Sequence, residues 1–354
     1  MTTSTQTQST ASGIQHSLHI ATLDAARRTR WNLGLITLVA VVGAVLPFIL
    51  TPAELSVATR IIVFALMGIG WNMMSGYGGM FSFGHAAYFG IGAYATAFFL
   101  VDVGMNPWLG LVAGMFLAAA AAVLISYLAL RYKVKGAYYA LSTFAFAEML
   151  RLFVMGNEGL NRTIGFTLPV VQGNNWAMFQ FPADSPNYFW IGTIMLIVAI
   201  IISMIYLGSR SGRFAVAARD DDMAAAALGI PVLRHKLTVS AISAAITAAA
   251  GTFYFQFYMF VDPEIAFGHA VSNNAIITAV VGGVGALWGP LVGAIIVAPL
   301  SDWVAALLRN PPEWLAFLSG LSGLDILIYA VILIVFVLVL PKGIVGTILS
   351  RRRK

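Results

Sequence analysis

The chain has 354 residues, of which 60% are hydrophobic and only 10% charged, whereas a water-soluble domain carries about 25% charged residues and has to cover its core with them. It contains no cysteine, which removes disulfides, thiolate metal sites and thiol chemistry together. The net charge of +6 suits a nucleic-acid binder or a membrane protein with basic loops, and the placement of the basic residues decides between them.

Residues 1–30 are rich in Ser, Thr and Gln and lack the apolar run of a signal peptide; they are expected to form a disordered cytoplasmic tail. From there the chain turns apolar in segments of the length that a bilayer requires. Spans are predicted at residues 32–50, 56–74, 83–101, 108–130, 137–155, 188–207, 237–259 and 324–341. Between 268 and 310 the pattern is interrupted by Asn273, Asn274, Gly282, Gly283, Gly285, Gly289 and Pro290, and two shorter crossings are expected, near 270–285 and 287–308. The fold class is therefore all-α: a polytopic transmembrane bundle of about ten spans, short or broken ones included.

The basic residues test this topology. With an even number of spans, Arg27, Arg28, Arg30, Arg131, Lys133, Lys135, Arg210, Arg213, Arg219, Arg234, Lys236, Lys342 and the Arg351–Lys354 run share one side. Only Arg162 and Arg309 face the other, and Arg60 and Arg151 lie within spans. Basic loops mark the cytoplasmic face, so both termini are placed there, and nucleic-acid binding loses its support. Residues 31–345 form the membrane domain, with a cytoplasmic loop at 208–236, and 346–354 form a basic cytoplasmic tail.

Gly110, Gly114, Ala118 and Ala122 recur every fourth residue, as do Gly285, Gly289 and Gly293; each set is read as one helix face shaped for close packing. Two glycine-rich stretches, Gly76–His85 and Gly282–Gly289, faintly resemble each other. Glu148 and Arg151, at i,i+3, are expected to pair and lower the cost of charge in the membrane.

Catalytic motifs are missing. There is no phosphate-binding loop of the G-x-x-x-x-G-K-[ST] kind, so ATP has to be bound by another chain. His16, His19, His85, His235 and His269 show no metal-ligand spacing, and no serine is framed as G-x-S-x-G. The chain reads as no enzyme, without a metal or cofactor of its own. Residues 213–228, R-F-A-V-A-A-R-D-D-D-M-A-A-A-A-L, are nearly free of helix breakers, and Gly229 and Pro231 supply a stop. A short helix is expected, as a solvated linker or as a docking element for a soluble motor, with Arg219 a solvated charge.

Three stretches resemble the permease subunits of branched-chain amino-acid ABC importers. They are Ser75–Tyr94 (S-G-Y-G-G-M-F-S-F-G-H-A-A-Y-F-G-I-G-A-Y), Ser209–Ile230 and Val280–Ala294 (V-V-G-G-V-G-A-L-W-G-P-L-V-G-A). Together with Gly136–Arg151, the resemblance runs from about residue 55 to 345. It implies a transport subunit of a bacterial cytoplasmic membrane working with two ATP-binding cassette subunits, a second homologous permease, an extracytoplasmic substrate-binding protein and membrane lipid. The general coupling signature E-A-A-x-x-x-G stands here as Met223-Ala-Ala-Ala-Ala-Leu-Gly229, with Met in place of Glu.

On that resemblance, Arg213, Ala224, Ala225, Ala226 and Gly229 are assigned to ATPase coupling. A zwitterion crossing about 30 Å of hydrocarbon needs polar groups along its way, and Asn72, Ser75, Ser82, His85, Ser142, Thr143, Asn273 and Asn274 are the candidates, each with interhelical hydrogen bonding as the competing role. The implied cargo is a branched-chain or related amino acid, with urea or a short amide as the alternative. An ion-coupled secondary transporter is the runner-up class, but most acidic residues lie in loops or near span ends, Asp302 excepted.

Overall fold

The computed structural model describes residues 29–168, 173–182, 185–309 and 342–351, with scattered residues between 331 and 340. Among them, seven helices are long and apolar enough to cross a membrane. The expected tail at 1–30 and span at 324–341 lie for the most part outside the described residues, and the last two residues of that tail, 29 and 30, already belong to a helix. The chain divides into two units, 1–49 and 50–354. The first contributes one apolar helix, α1 (Thr29–Phe48).

The second unit starts with a strong signal. Thr51 caps α2 (Pro52–Trp71): Glu54 N–H donates to its hydroxyl, the Glu54 carboxylate accepts from Thr51 N–H, and Pro52 takes the first helical position. α2 continues as a π-helical turn, Asn72–Tyr77, before a loop to α3 (His85–Val101). There follow α4 (Pro107–Arg131), α5 (Ala137–Gly156), β1 (Phe166–Thr167) and α6 (Asn187–Gly208). α7 (Arg210–Asp220), α8 (Asp222–Ala227), α9 (Val232–Tyr258) and β2 (Phe260–Val261) come next. α10 (Pro263–Phe267), α11 (His269–Gly282), α12 (Gly289–Arg309) and α13 (Gly343–Arg351) complete the described chain. The predicted spans match these helices to within a few residues, and the largest shift is at α9, which starts five residues before 237 because Pro231 precedes it.

α3, α4 and α9 pack most closely. Gly110, Gly114, Ala118 and Ala122 are all buried on α4, as their spacing predicts. A Cβ on Gly114 would sit 3.1 Å from the Gly92 Cα of α3, and one on Gly110 2.9 Å from the Thr96 Cα, so the two backbones approach as only small residues allow. The second glycine set is different. Gly289 and Gly293 belong to α12 and face Gly283 and the Thr278 backbone, but Gly285 is in the connecting loop with φ +76. The three do not form one helix face. Asn273 and Asn274 also fail to interrupt anything: both lie inside α11, and the break is the glycine-rich loop 283–288.

The connections gather at two ends. At one, β1 pairs antiparallel with β2, Phe166 opposite Val261 and Thr167 opposite Phe260, and Trp108 stacks on Phe179 with ring centroids 4.5 Å apart. At the other, loop 283–288 meets the π-turn (Gly285 N–H to Asn72 Oδ1, 2.7 Å), α7 meets the same turn, and Lys135 and Lys236 meet α8. The second end gathers loops and span ends expected on the basic side, and the first gathers loops and span ends expected on the opposite side. α11 and α12 are thus two separate helices joined at the basic end. Within the apolar part, Arg60 pairs with Asp302, and Arg151 pairs with Glu148 at 2.6 Å, as expected, and also with Glu264 at 2.8 Å. The acidic residue that lay mid-span is therefore neutralised by a partner.

Candidate functional site

Five of the eight polar residues proposed for a path converge where α2 ends and α3 begins, and each is occupied by its own chain. The Asn72 amide clamps the 283–288 loop, accepting from Gly285 N–H and donating to Ala286 O at 3.0 Å. Ser75 donates to Met80 O. Ser82 Oγ accepts from Gly84 N–H, and its carbonyl accepts from the Trp71 indole at 2.9 Å. Thr143 Oγ1 donates to Ala140 O and accepts from Phe83 N–H.

His85 is fully buried, with Nε2 at 3.0 Å from Ser243 Oγ. The Ser243 hydroxyl donates its one proton to Gly70 O at 2.5 Å, so it must accept from His85, which fixes the Nε2–H tautomer. The start of α3 is further tied down by Ser272, whose hydroxyl accepts from Ala86 N–H at 2.9 Å. Ser243 and Ser272 were not singled out in the sequence, since a serine inside an apolar run carries no positional signal of its own.

The remaining three candidates sit elsewhere. Ser142 is half-buried on α5 and bonds back to Tyr138 O. On α11, Asn273 is exposed and Asn274 half-exposed, one helical turn beyond His269, whose ring stacks on Phe144 of α5 at 4.7 Å.

The loop expected as one helix is two. α7 ends at Asp220, and Asp221, with extended backbone (φ −155, ψ 109), caps α8 by accepting from Met223 N–H and Ala224 N–H at 2.8 and 3.0 Å. Those backbone donors hold its carboxyl below the usual range. The three consecutive aspartates ahead of an alanine run were the missed signal: Asp is a preferred N-cap and an unfavourable mid-helix residue. α8 ends as predicted at Gly229, φ +79. Gly229 N–H donates to Ala226 O and Ile230 N–H to Ala225 O, the paired bonds of a Schellman ending.

The coupling residues divide by face. Ala225 is buried against the bundle (3% exposed), while Ala224 and Ala226 are exposed beside Met223 (77%) and Leu228 (82%). Ala225 and Ala226 therefore do not share a docking face. The Arg213 guanidinium donates to Gly208 O at 2.8 Å and so caps α6. Arg219 is not a free solvated charge: Nη1 donates to Gly76 O at 2.9 Å, and its other nitrogens bond Asp220.

Asp222 opens α8 between two lysines, Lys236 Nζ at 2.6 Å and Lys135 Nζ at 3.1 Å. Partial burial alone raises its carboxyl pKa, but the two ammonium groups outweigh that and leave it below the usual value. A cavity of about 290 Å³ lies at this joint, lined by residues including Gly79, Lys135, Tyr139, Arg219, Asp222 and Lys236.

This arrangement of a glycine-rich membrane hairpin and a short exposed helix accompanies a sequence match over most of the chain: residues 54–340 fit the family described as branched-chain amino acid transport system / permease component. The chain belongs to that family. It is similar to the high-affinity branched-chain amino acid transport system permease protein LivM of Escherichia coli (strain K12), at 28% identity over 272 residues, 71% of this chain and 63% of that protein. It is similar to LivH of Salmonella typhimurium, the permease protein of the same named system, at 29% identity over 299 residues, 80% of this chain and 91% of that protein. The matched region thus spans less than two thirds of LivM and nearly all of LivH. The autoinducer 2 import system permease protein LsrC of Yersinia enterocolitica also matches, at 29% identity over 49% of this chain and 51% of that protein. No solved structure matches. The protein is an integral membrane transport component of all-α fold.

Proposed function

We propose that this chain is one of two homologous permease subunits of an ATP-driven importer in a bacterial cytoplasmic membrane, with both termini in the cytoplasm. Two ATP-binding cassette subunits hydrolyse ATP, and an extracytoplasmic binding protein delivers a branched-chain or related amino acid. The observation that carries this reading is α8. A short helix with an apolar outer face (Met223, Ala224, Ala226, Leu228) stands at the basic end, capped at both ends by its own sequence. Such a preformed, exposed apolar element fits a groove on a soluble partner, the mode in which a helix buries its apolar face on binding. The family membership supports it, and so does the segregation of basic loops to this end.

The conducting route is proposed along the faces of α5 and α11 that carry Ser142, Asn273 and Asn274, completed by the second permease. Asn72, Ser75, Ser82, His85 and Thr143 belong to it as its frame: they fix the bend between α2 and α3. Arg213 serves coupling by holding α7 to the end of α6. Family relatives carry different cargoes in their names, so the cargo must be read from uptake itself.

The test is co-expression with the ATPase subunits and the binding protein of the same transport system, followed by reconstitution. Expected are co-purification of the ATPases and ATP-dependent leucine uptake, both lost in Ala226→Glu with insertion unchanged. Uptake by this polypeptide alone, driven by an ion gradient, would replace the reading with a secondary carrier.

A further inference from the structure

We propose that Arg219 is a positioning residue that relays movement of the α7–α8 joint into the membrane hairpins of α2 and of α11–α12. The inference rests on the coupling role proposed for α8 and adds the route by which displacement leaves it.

The route is a chain of direct contacts. Because the π-turn that continues α2 ends at Tyr77, the carbonyl of Gly76 is one of the terminal acceptors with no partner further along the helix. Arg219 Nη1 supplies that partner at 2.9 Å. The Arg219 stem fills the space beside Gly79, which has φ +68: a Cβ there would lie 3.0 Å from the Arg219 Cβ and 3.1 Å from its Cα. On its other side, Gly76 abuts loop 283–288, where a Cβ would meet the Asn72 amide and Gly285 N at 2.8 Å. Asn72, 2% exposed, bonds both Gly285 N–H and Ala286 O. Gly285 closes the circuit, since a Cβ on it would lie 3.4 Å from Arg219 Nη1.

Glycine at each joint leaves no side chain to absorb displacement between the guanidinium and the two hairpins. The turn that receives it is π-helical, with Gly78 N–H donating to Met73 O, a local form found mostly as single turns and often at functional sites. Mechanically, α8 is pinned to α9 and the α4–α5 loop through Asp222. α7 is pinned to α2 through Arg219, and the extended residue Asp221 separates the two pins. A push on the exposed tip of α8 therefore pivots about Asp222 and pulls on Gly76.

The test uses the complete transporter in proteoliposomes. Nitroxide pairs join Asn174→Cys, at the opposite end, with Ile230→Cys, just past the Gly229 end of α8 and outside its docking face, or Val284→Cys on the hairpin; the chain has no cysteine to interfere. In the parent, both distances are expected to change on ATP binding. Arg219→Ala is expected to assemble, hydrolyse ATP and keep the α8 change, while the hairpin change disappears and uptake falls at least tenfold. Arg219→Lys, which keeps one charged donor, is expected to restore part of both. Normal uptake and a normal hairpin change in Arg219→Ala overturn the relay. So does loss of assembly or of the α8 change in that variant, which would make Arg219 a folding or docking residue. A parent complex that hydrolyses ATP without moving the α8 label sinks the coupling reading itself.

Discussion

At the end that carries β1 and β2, Phe179 is completely buried and stacks on Trp108, with Phe181, Tyr188 and Phe253 around it, and the strand pair adds backbone hydrogen bonds. At the basic end, α7 and α8 bury only small side chains (Ala215, Ala218, Ala225) and are otherwise held by a handful of polar joints: Arg219 to Gly76, Asp222 to two lysines, Ser211 to His235 at 2.8 Å. Aromatic burial is area-driven and hard to lose by small displacements. A joint of one or two hydrogen bonds contributes about 1 kcal/mol each and opens without disturbing the core. Regions with few buried apolar contacts sit at the low end of local stability, where moving elements are found. The same chain thus closes one end by packing and hinges the other by hydrogen bonds.

The sharpest way to break this contrast is to remove packing from the aromatic end. Phe179→Ala is expected to cost about 3–5 kcal/mol, read as a large drop in the melting temperature of the detergent-solubilised protein. An unchanged melting temperature would mean that this end is not closed by burial. Next in size is Ala225→Glu, which puts a carboxylate at a position 3% exposed at a cost of at least about 2 kcal/mol. Its neighbour Ala226→Glu is expected to melt like the parent, and equal destabilisation by the two would erase the inner and outer faces assigned to α8. Smaller still is Gly229→Val. No atom lies within 4 Å of an added Cβ there, so the cost is the positive φ alone, about 1–2 kcal/mol. Hydrogen exchange by mass spectrometry should show faster exchange over 222–230 and none in α3, α4 or α9.

How far the sequence reaches follows the same division. Apolar runs and the four-residue spacing of Gly110 to Ala122 depend on one helix at a time, and they place the spans among the described residues and the tight α4 face correctly. Glu148 and Arg151 are also local, at i,i+3. What was not legible is what two distant segments do to each other. Arg219 looks solvated in a window of twenty residues, and its partner is 143 residues away. The hydrogen-bond partners of Asn72, Ser82, His85 and Thr143, among them Ser243, Gly285 and loop backbones, are likewise invisible from the single segments that carry them. The break at Asp221 was legible and was outweighed by the helical propensity of the alanines around it.

The smallest expected effect sharpens the hinge itself. Asp222 has its carboxyl pKa held below the ordinary value of 3.8 by Lys236 and Lys135, against the opposing effect of burial. A depressed carboxylate contributes stability that is fully present above the unfolded value and is lost as pH falls through the folded one. Amide protection of α7 and α8 should therefore be flat from neutral pH to about pH 5 and decline below about pH 4, while α3, α4 and α9 keep theirs. Asp220, Asp221 and Arg219 also surround the joint, and Asp221 is held low as well, by the N–H groups of Met223 and Ala224. Substitution separates the two carboxylates. Asn is as good an N-cap as Asp, so Asp221→Asn should leave α8 protected and the acid transition in place. Asp222→Asn removes the charge that the two lysines share, so it should lower protection already at neutral pH and abolish the transition. An acid transition that survives Asp222→Asn but vanishes in Asp221→Asn would move the hinge from the lysine clamp to the helix cap.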